Sequence, residues 1–245
     1  MIRTIMQSGL PLEPALTIVV LMVPVILLSL SLHEFAHGYA AYKCGDDTAR
    51  SLGRLTLNPI KHLDFIGFIC LLFFGFGWAK PVPINSRYFK RPRRDIRIVS
   101  LAGPLTNAAL VFVSVLLYRI TVQIAVPELA GESFQNYFML IILGSQQMIS
   151  MPATILLTFF SQAALINATL FIFNLLPIPP LDGSKILMTT LPQKAAMALA
   201  RHERTITLVL YIALLAGFLS GPLSVAMQYV VYGVDKLFML LPFFG

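Results

Sequence analysis

His33-Glu34-Phe35-Ala36-His37 places two histidines four residues apart, with a glutamate beside the first. On a helix that spacing puts both imidazoles on one face, where they can bind a single zinc ion. The glutamate can then take a proton from water activated there. The motif follows 19 residues without a charge, Pro14 to Leu32. Water activation is therefore expected inside a membrane segment, where a histidine and a glutamate are costly and mark function. The two cysteines, Cys44 and Cys70, lie in or beside apolar segments expected on the reducing side. Neither a disulfide nor a thiol mechanism is expected.

A catalytic zinc usually takes three protein ligands and a water, so HExxH needs one more. Asp182 is the best candidate, because it is the acid that borders the uncharged run 133–181 at its cytoplasmic end, on the side of the histidines, whereas Glu132 borders the outer end. The prolines of Pro177-Ile178-Pro179-Pro180 break the preceding helix and can fold the aspartate back toward the histidines. Asp182-Gly183-Ser184-Lys185 also reads as the start of a helix over 183–191 with Asp182 as its cap. Spacing alone does not separate the two readings; membrane depth and side favour the ligand. Asn167 and Asn174, seven apart, share a helical face and can either join helices or serve the site. Asn107 beside Gly103-Pro104 reads as helix packing. His62 reads first as a loop residue with Asp64 as a candidate partner and second as an accessory ligand or acid–base group, and His202 as part of a solvated face.

The elements that must hold these residues follow from hydropathy and charge. The chain has 245 residues, 57% of them hydrophobic and 12% charged, with mean hydropathy +0.80. That composition describes one integral membrane domain with no internal repeat and no separate soluble part. The net charge of +7 is clustered: 11 of the 18 lysines and arginines fall between Lys43 and Arg97. It sets topology rather than nucleic-acid binding, and no nucleic-acid partner is expected. Both flanks of run 65–79 are basic and so cytoplasmic, which makes that short, glycine-containing run a re-entrant hairpin. Lys185, Lys194, Arg201 and Arg204 form a second cytoplasmic zone, so an even number of crossings separates Arg97 from Lys185. The cluster Lys90-Arg91-Pro92-Arg93-Arg94 reads as an anchor on anionic lipid headgroups.

The expected fold is an all-α polytopic membrane protein with four to five transmembrane helices and a re-entrant hairpin with short strands. Its parts are a catalytic helix 14–43, a re-entrant and strand region 52–86, and a helix 98–120. An interfacial segment 133–151, a helix 153–176 leading to Asp182, and C-terminal helices over 205–241 complete it. The apolar start leads straight into HExxH on one helix, so it does not read as a cleavable signal. Counting back from Lys43, His37 and His33 lie roughly 9 and 15 Å deep. The strands, Arg54–Leu57 and Pro81–Ile84, can hold an unwound substrate by strand addition, with Leu55, Leu57 and Val82 as contacts.

These residues resemble the site-2 protease family of intramembrane zinc metalloproteases. The resemblance rests on His33-Glu34-Phe35-Ala36-His37-Gly38 and Asn174-Leu175-Leu176-Pro177-Ile178-Pro179-Pro180-Leu181-Asp182-Gly183. Two weaker elements accompany them: Gly77-Trp78-Ala79-Lys80-Pro81-Val82-Pro83 and Leu101-Ala102-Gly103-Pro104-Leu105-Thr106-Asn107. It covers most of residues 30–190 and implies one zinc per chain held by His33, His37 and Asp182, with Glu34 as the base. Asn174 matches a family asparagine that assists substrate or intermediate. The implied substrates are single-pass transmembrane proteins, often anchored regulators released to the cytoplasm. The chain reads as a compact member without a PDZ insertion or a nucleotide-sensing domain. The expected location is a bacterial cell membrane, with the site nearer the cytoplasmic side.

Two readings from other classes compete. A metal transporter predicts ligands strung along a pore and repeated halves; this chain has one compact site and no visible repeat. A catalytically silent binder of membrane segments predicts a damaged motif, and Glu34 and both histidines are intact.

The charge pattern makes a direct topological prediction. Single cysteines at Asn85 and Lys194, in a background lacking Cys44 and Cys70, should label from the cytoplasm and one at Glu132 from outside. Labelling of the Glu132 position from the Lys194 side would refute the assignment.

Overall fold

The computed structural model describes residues 12–74, 77–136, 149–242 and 244. Its elements in chain order are α1 (Leu12–Lys43), α2 (Phe65–Phe74), α3 (Pro92–Ala125), α4 (Met151–Leu175), α5 (Asp182–Thr190), α6 (Gln193–Arg201), α7 (Glu203–Leu215) and α8 (Ser220–Met239). Single helical turns at Thr48–Ser51 and Pro59–His62 lie in the connection from α1 to α2. Three helices, α1, α3 and α4, are long and apolar enough to cross a membrane. The pair α7 and α8, bent by 83° at their junction, makes a fourth span if counted as one. The sequence predicts four to five. Most of the predicted interfacial segment 133–151, namely residues 137–148, lies outside the described residues.

Helices α1, α3 and α4 pack against one another in all three pairings. Ile18, Met22, Val25, Ile26 and Leu30 of α1 meet Ala163, Ile166 and Leu170 of α4 and Leu71 and Leu72 of α2. A second core joins Val111, Val115, Tyr118 and Val122 of α3 to Leu157, Ala164 and Ala168 of α4 and Val231 and Val234 of α8. The hydrophobic term of roughly 25 cal/mol per Å² applies only where packing removes apolar surface from water; in lipid, close packing and polar contacts hold the helices together. The end of α1, the start of α3 and the end of α4 therefore share the basic side of the bundle, where the candidate site lies.

At the opposite end of α3, one buried ion pair fixes α8. Arg119 Nε donates to Asp235 Oδ1 at 2.6 Å, and Asp235 Oδ2 accepts from the Phe134 amide at 2.9 Å. Arg119 Nη1 also donates to the Ala130 carbonyl at 2.9 Å. In the sequence these charges mark only the ends of two apolar runs, 98–118 and 205–234. Together they tie α8 to the end of the bundle remote from the site, a placement the sequence leaves open for residues 222–241.

The re-entrant region departs from expectation. Helix α2 descends and residues 77–85 run back beside it, so closely that a Cβ on Gly67 would overlap the Trp78 carbonyl. The predicted short strands are absent: no strand occurs among the described residues. The reason is a shortage of donors. Pro81 and Pro83 have no N–H to give a ladder, and the amide of Val82 between them is spent on Glu34. Segment 52–57 still lies beside this arm, joined by a side chain instead of a ladder. Arg54 Nη2 donates to the carbonyls of Lys80 at 2.8 Å and Pro81 at 3.1 Å. Buried Asp46 accepts from the Asn85 amide at 2.7 Å and pins the far end of the arm below α1.

Removing one member of the buried pair leaves an uncompensated charge. Asp235→Ala should cost about 3–5 kcal/mol of stability, whereas Arg119→Leu with Asp235→Leu should recover most of it. Thermal unfolding in detergent separates the two; equal losses in both would mean that the charges are not coupled.

Candidate active site and metal centre

HExxH forms helix because Leu32 to Lys43 contains no proline and continues an apolar segment already in helical register, which carries the one glycine, Gly38. His33 and His37 consequently lie one turn apart, with rings edge to face at 4.6 Å between centroids. Their Nε2 atoms are 3.0 Å apart. Asp182 Oδ2 completes a triangle, 3.0 Å from His37 Nε2 and 3.3 Å from His33 Nε2. All three residues are about 5% exposed.

The end of α4 explains how Asp182 arrives. The Leu175 backbone ends the helix, the proline-rich turn reverses the chain, and α5 begins with Leu181 as its N-cap. No side chain caps α5, and the Asp182 carboxylate turns away from its own helix start toward the histidines. Of the two readings left open by spacing, the structure thus shows the aspartate at the histidines and not as a cap. Lys185 Nζ donates to the other carboxylate oxygen at 2.9 Å, which favours the anion.

The donor set fits zinc. His33 Nδ1 lies 2.6 Å from Asn107 Oδ1, and His37 Nδ1 lies 2.7 Å from the Val99 carbonyl. Both partners are acceptors, so each Nδ1 carries the proton and each Nε2 presents a lone pair. Two lone pairs and a carboxylate oxygen converge with no donor among them, an arrangement that a cation satisfies. Zinc bonds of about 2.0–2.1 Å at tetrahedral angles would set ligand atoms roughly 3.3 Å apart, close to the observed triangle. Among the described residues, no other group of three His, Cys, Asp or Glu side chains converges in this way.

Gly103 makes the approach of α3 possible, since a Cβ there would overlap both imidazoles. Glu34, 8% exposed, accepts from the Val82 amide at 2.8 Å through Oε2. That bond occupies one of its two oxygens. His33, Glu34, His37 and Asp182 line a cavity of about 300 Å³ whose wall also includes Val82 and Asn174. Trp78 of the returning arm stacks on Tyr211 of α7 at 5.5 Å and closes one side. A second cavity of about 560 Å³ meets the first at His37, Val82, Ile84 and Lys185 and opens between α3 and α5.

Other expected residues are distributed as follows. Asn174, in the cavity wall, donates one of its two amide hydrogens to the Leu170 carbonyl at 3.0 Å. Asn167 lies behind the site, against Asn107 and Ser29. Leu55 and Leu57 are not in the cavity wall: Leu55 packs toward Gly38, and Leu57 is 54% exposed. Their segment meets the arm through Arg54. His62 is buried and its Nε2 lies 2.7 Å from the Thr56 carbonyl; Asp64 instead accepts from the Gly67 amide. Burial, with Asp95 nearby, pushes the Cys44 thiol up, so it is not a ready nucleophile.

Asn107 is the residue that sequence reasoning assigned to helix packing and that the structure places on a histidine. The available signal was a lone amide in an apolar run, one helix turn beyond Gly103. Lys185 and Tyr211 gave no signal, since each belongs to an ordinary surface or apolar pattern.

Comparison with known proteins agrees with this geometry. The model of peptidase family M50 matches residues 21–218. The chain is 39% identical over 203 residues to "Putative zinc metalloprotease YwhC" of Bacillus subtilis, covering 81% of this chain and 83% of that protein. It is 28% identical over 202 residues to "Putative zinc metalloprotease Rip2" of Mycobacterium tuberculosis, covering 80% of this chain and 66% of the relative. The Rip2 of Mycolicibacterium smegmatis is 29% identical over 198 residues, 77% of this chain and 64% of that one. No solved structure matches the chain significantly.

The convergence of Asp182 on the histidines separates two mutants. Asp182→Ala should purify with much less than one zinc per chain, whereas Asn174→Ala should keep its metal and lose about 10²–10³ in turnover. Elemental analysis and cleavage assays on both proteins test this; a zinc-replete Asp182→Ala would remove Asp182 from the ligand set.

Proposed function

The chain belongs to peptidase family M50 and is a membrane zinc metalloprotease; on that premise we propose that it cuts single-pass transmembrane proteins within or near their membrane helix. The observation that carries this reading is the position of the site. His33 and Glu34 are embedded in a membrane-spanning helix, roughly 15 Å from its basic end, and line a cavity rather than an open groove. A membrane helix arriving laterally meets the site at its own depth.

The proposed roles follow from the contacts. His33, His37 and Asp182 would hold zinc, which when bound would supply Lewis acidity to water and to the scissile carbonyl. Glu34 accepts the proton of the attacking water through the oxygen not held by Val82 and passes it to the leaving amine. Asn174 offers its second amide hydrogen to the substrate carbonyl as negative charge grows there. Lys185 keeps Asp182 anionic from the side away from the histidines.

An α-helix with side chains is about 10–12 Å across, so even two turns exceed a cavity of about 300 Å³. The substrate must therefore enter unwound. Val82, in the cavity wall, is the proposed contact for that extended stretch, in competition with its bond to Glu34. The basic end of the bundle is proposed to be cytoplasmic, with lysines and arginines on anionic lipid headgroups. Cleavage there would release an anchored cytoplasmic regulator, the outcome called regulated intramembrane proteolysis.

Purified enzyme incubated with a panel of single-pass helices should cut at least one, and Glu34→Gln should slow that cleavage by at least about 10²-fold while keeping zinc. Near-wild-type turnover in the mutant would remove Glu34 from the mechanism. Cleavage confined to soluble peptides would overturn the substrate class.

A further inference from the structure

Behind the site, three helices are joined by a chain of side-chain amides. Asn167 of α4 donates through Nδ2 to the Ala163 carbonyl at 2.8 Å and to Ser29 Oγ of α1 at 2.9 Å. Its Oδ1 accepts from Asn107 Nδ2 of α3 at 2.8 Å. Asn107 Oδ1 then lies 2.6 Å from His33 Nδ1. Asn107 is fully buried and Asn167 is 2% exposed, so neither amide has water as an alternative partner.

The chain has a direction. A backbone carbonyl can only accept, so the atom of Asn167 beside Ala163 must be the nitrogen. That leaves its oxygen for Asn107, which must answer with its own nitrogen and turn its oxygen to His33. An oxygen at His33 Nδ1 demands a proton there and leaves Nε2 unprotonated, in the form that can bind a metal. The opposite tautomer would put two donors or two acceptors face to face at some step, each a buried mismatch.

We propose that Asn167 and Asn107 form a directional relay, anchored on the Ala163 carbonyl, that holds His33 as the Nδ1–H tautomer and so sets zinc affinity. Both are positioning residues; neither touches the cavity. The inference concerns metal retention and is independent of which substrate is cut.

The relay needs an acceptor at two places, toward His33 and toward Asn107. Aspartate keeps each acceptor but loses the amide donor behind it, toward Asn167 or toward the Ala163 carbonyl, and leucine, of similar size, keeps neither. Zinc affinity of the purified full chain, measured by competition with a fluorescent chelator, should fall about 10- to 100-fold in Asn107→Leu and Asn167→Leu. Asn167→Asp sets a carboxylate against the Ala163 carbonyl and should lose affinity too; Asn107→Asp, which still accepts from His33 Nδ1, should lose less than Asn107→Leu. A role in packing alone reverses this order, since leucine would be the milder change, and leucine variants with full affinity would overturn the relay. A second measurement needs no variant: imidazole nitrogen NMR of the metal-free parent should show a proton on His33 Nδ1. An unprotonated Nδ1 in that spectrum would overturn the proposal even if a variant failed to fold.

Discussion

Three electron-pair donors, His33 Nε2, His37 Nε2 and Asp182 Oδ2, face one another at 3.0–3.3 Å inside a membrane bundle. Without a cation this is mutual repulsion at low dielectric, where it is least screened. The bundle is arranged to tolerate and exploit that conflict. Gly103 admits α3 to within contact of both rings, the proline turn folds Asp182 back, and Lys185 balances the carboxylate from outside. Each imidazole is held from behind by an acceptor, so the lone pairs cannot escape by exchanging tautomers. The metal, when bound, replaces the repulsion with three bonds, so zinc affinity and local packing are aspects of one constraint.

The arm at residues 77–85 shows a second economy. Its prolines make it a poor partner for a sheet, and its one free amide in that stretch, Val82, is directed at Glu34. The arm therefore needs other anchors, and it has them in Arg54, Asp46 and the stack of Trp78 on Tyr211. Of these anchors, Trp78 and Tyr211 themselves line the cavity. A backbone amide bonded to the proposed base links the position of the arm to the proton-accepting group, so any peptide that displaces the arm also changes what Glu34 can accept.

The two ends of the bundle are held by different physics. On the basic side, α1, α3 and α4 converge through amides, imidazoles and a carboxylate that only short distances satisfy. At the far end, Arg119 and Asp235 neutralise each other and tie α8 to α3, with the Phe134 amide as a third partner. Between them the packing is apolar and close. Directional contacts at both ends set the register in which the apolar helices meet, which lipid and hydrocarbon packing alone would leave loose.

The sequence by itself determined what depends on local spacing and on counting. Four-residue periodicity put His33 and His37 on one face, the lengths of uncharged runs located the spans, and the lone acid after run 133–181 singled out Asp182. Tertiary structure decided everything that depends on which distant groups meet. It gave Asn107 a histidine instead of a packing role, moved Asn167 behind the site, and kept Leu55 and Leu57 out of the cavity. It also spent the Val82 amide on Glu34, between two prolines, where the sequence suggested a strand over Pro81–Ile84. Hydrogen bonds between helices are settled by atomic positions a few tenths of an ångström apart, and a periodicity of 3.6 residues carries no information at that scale.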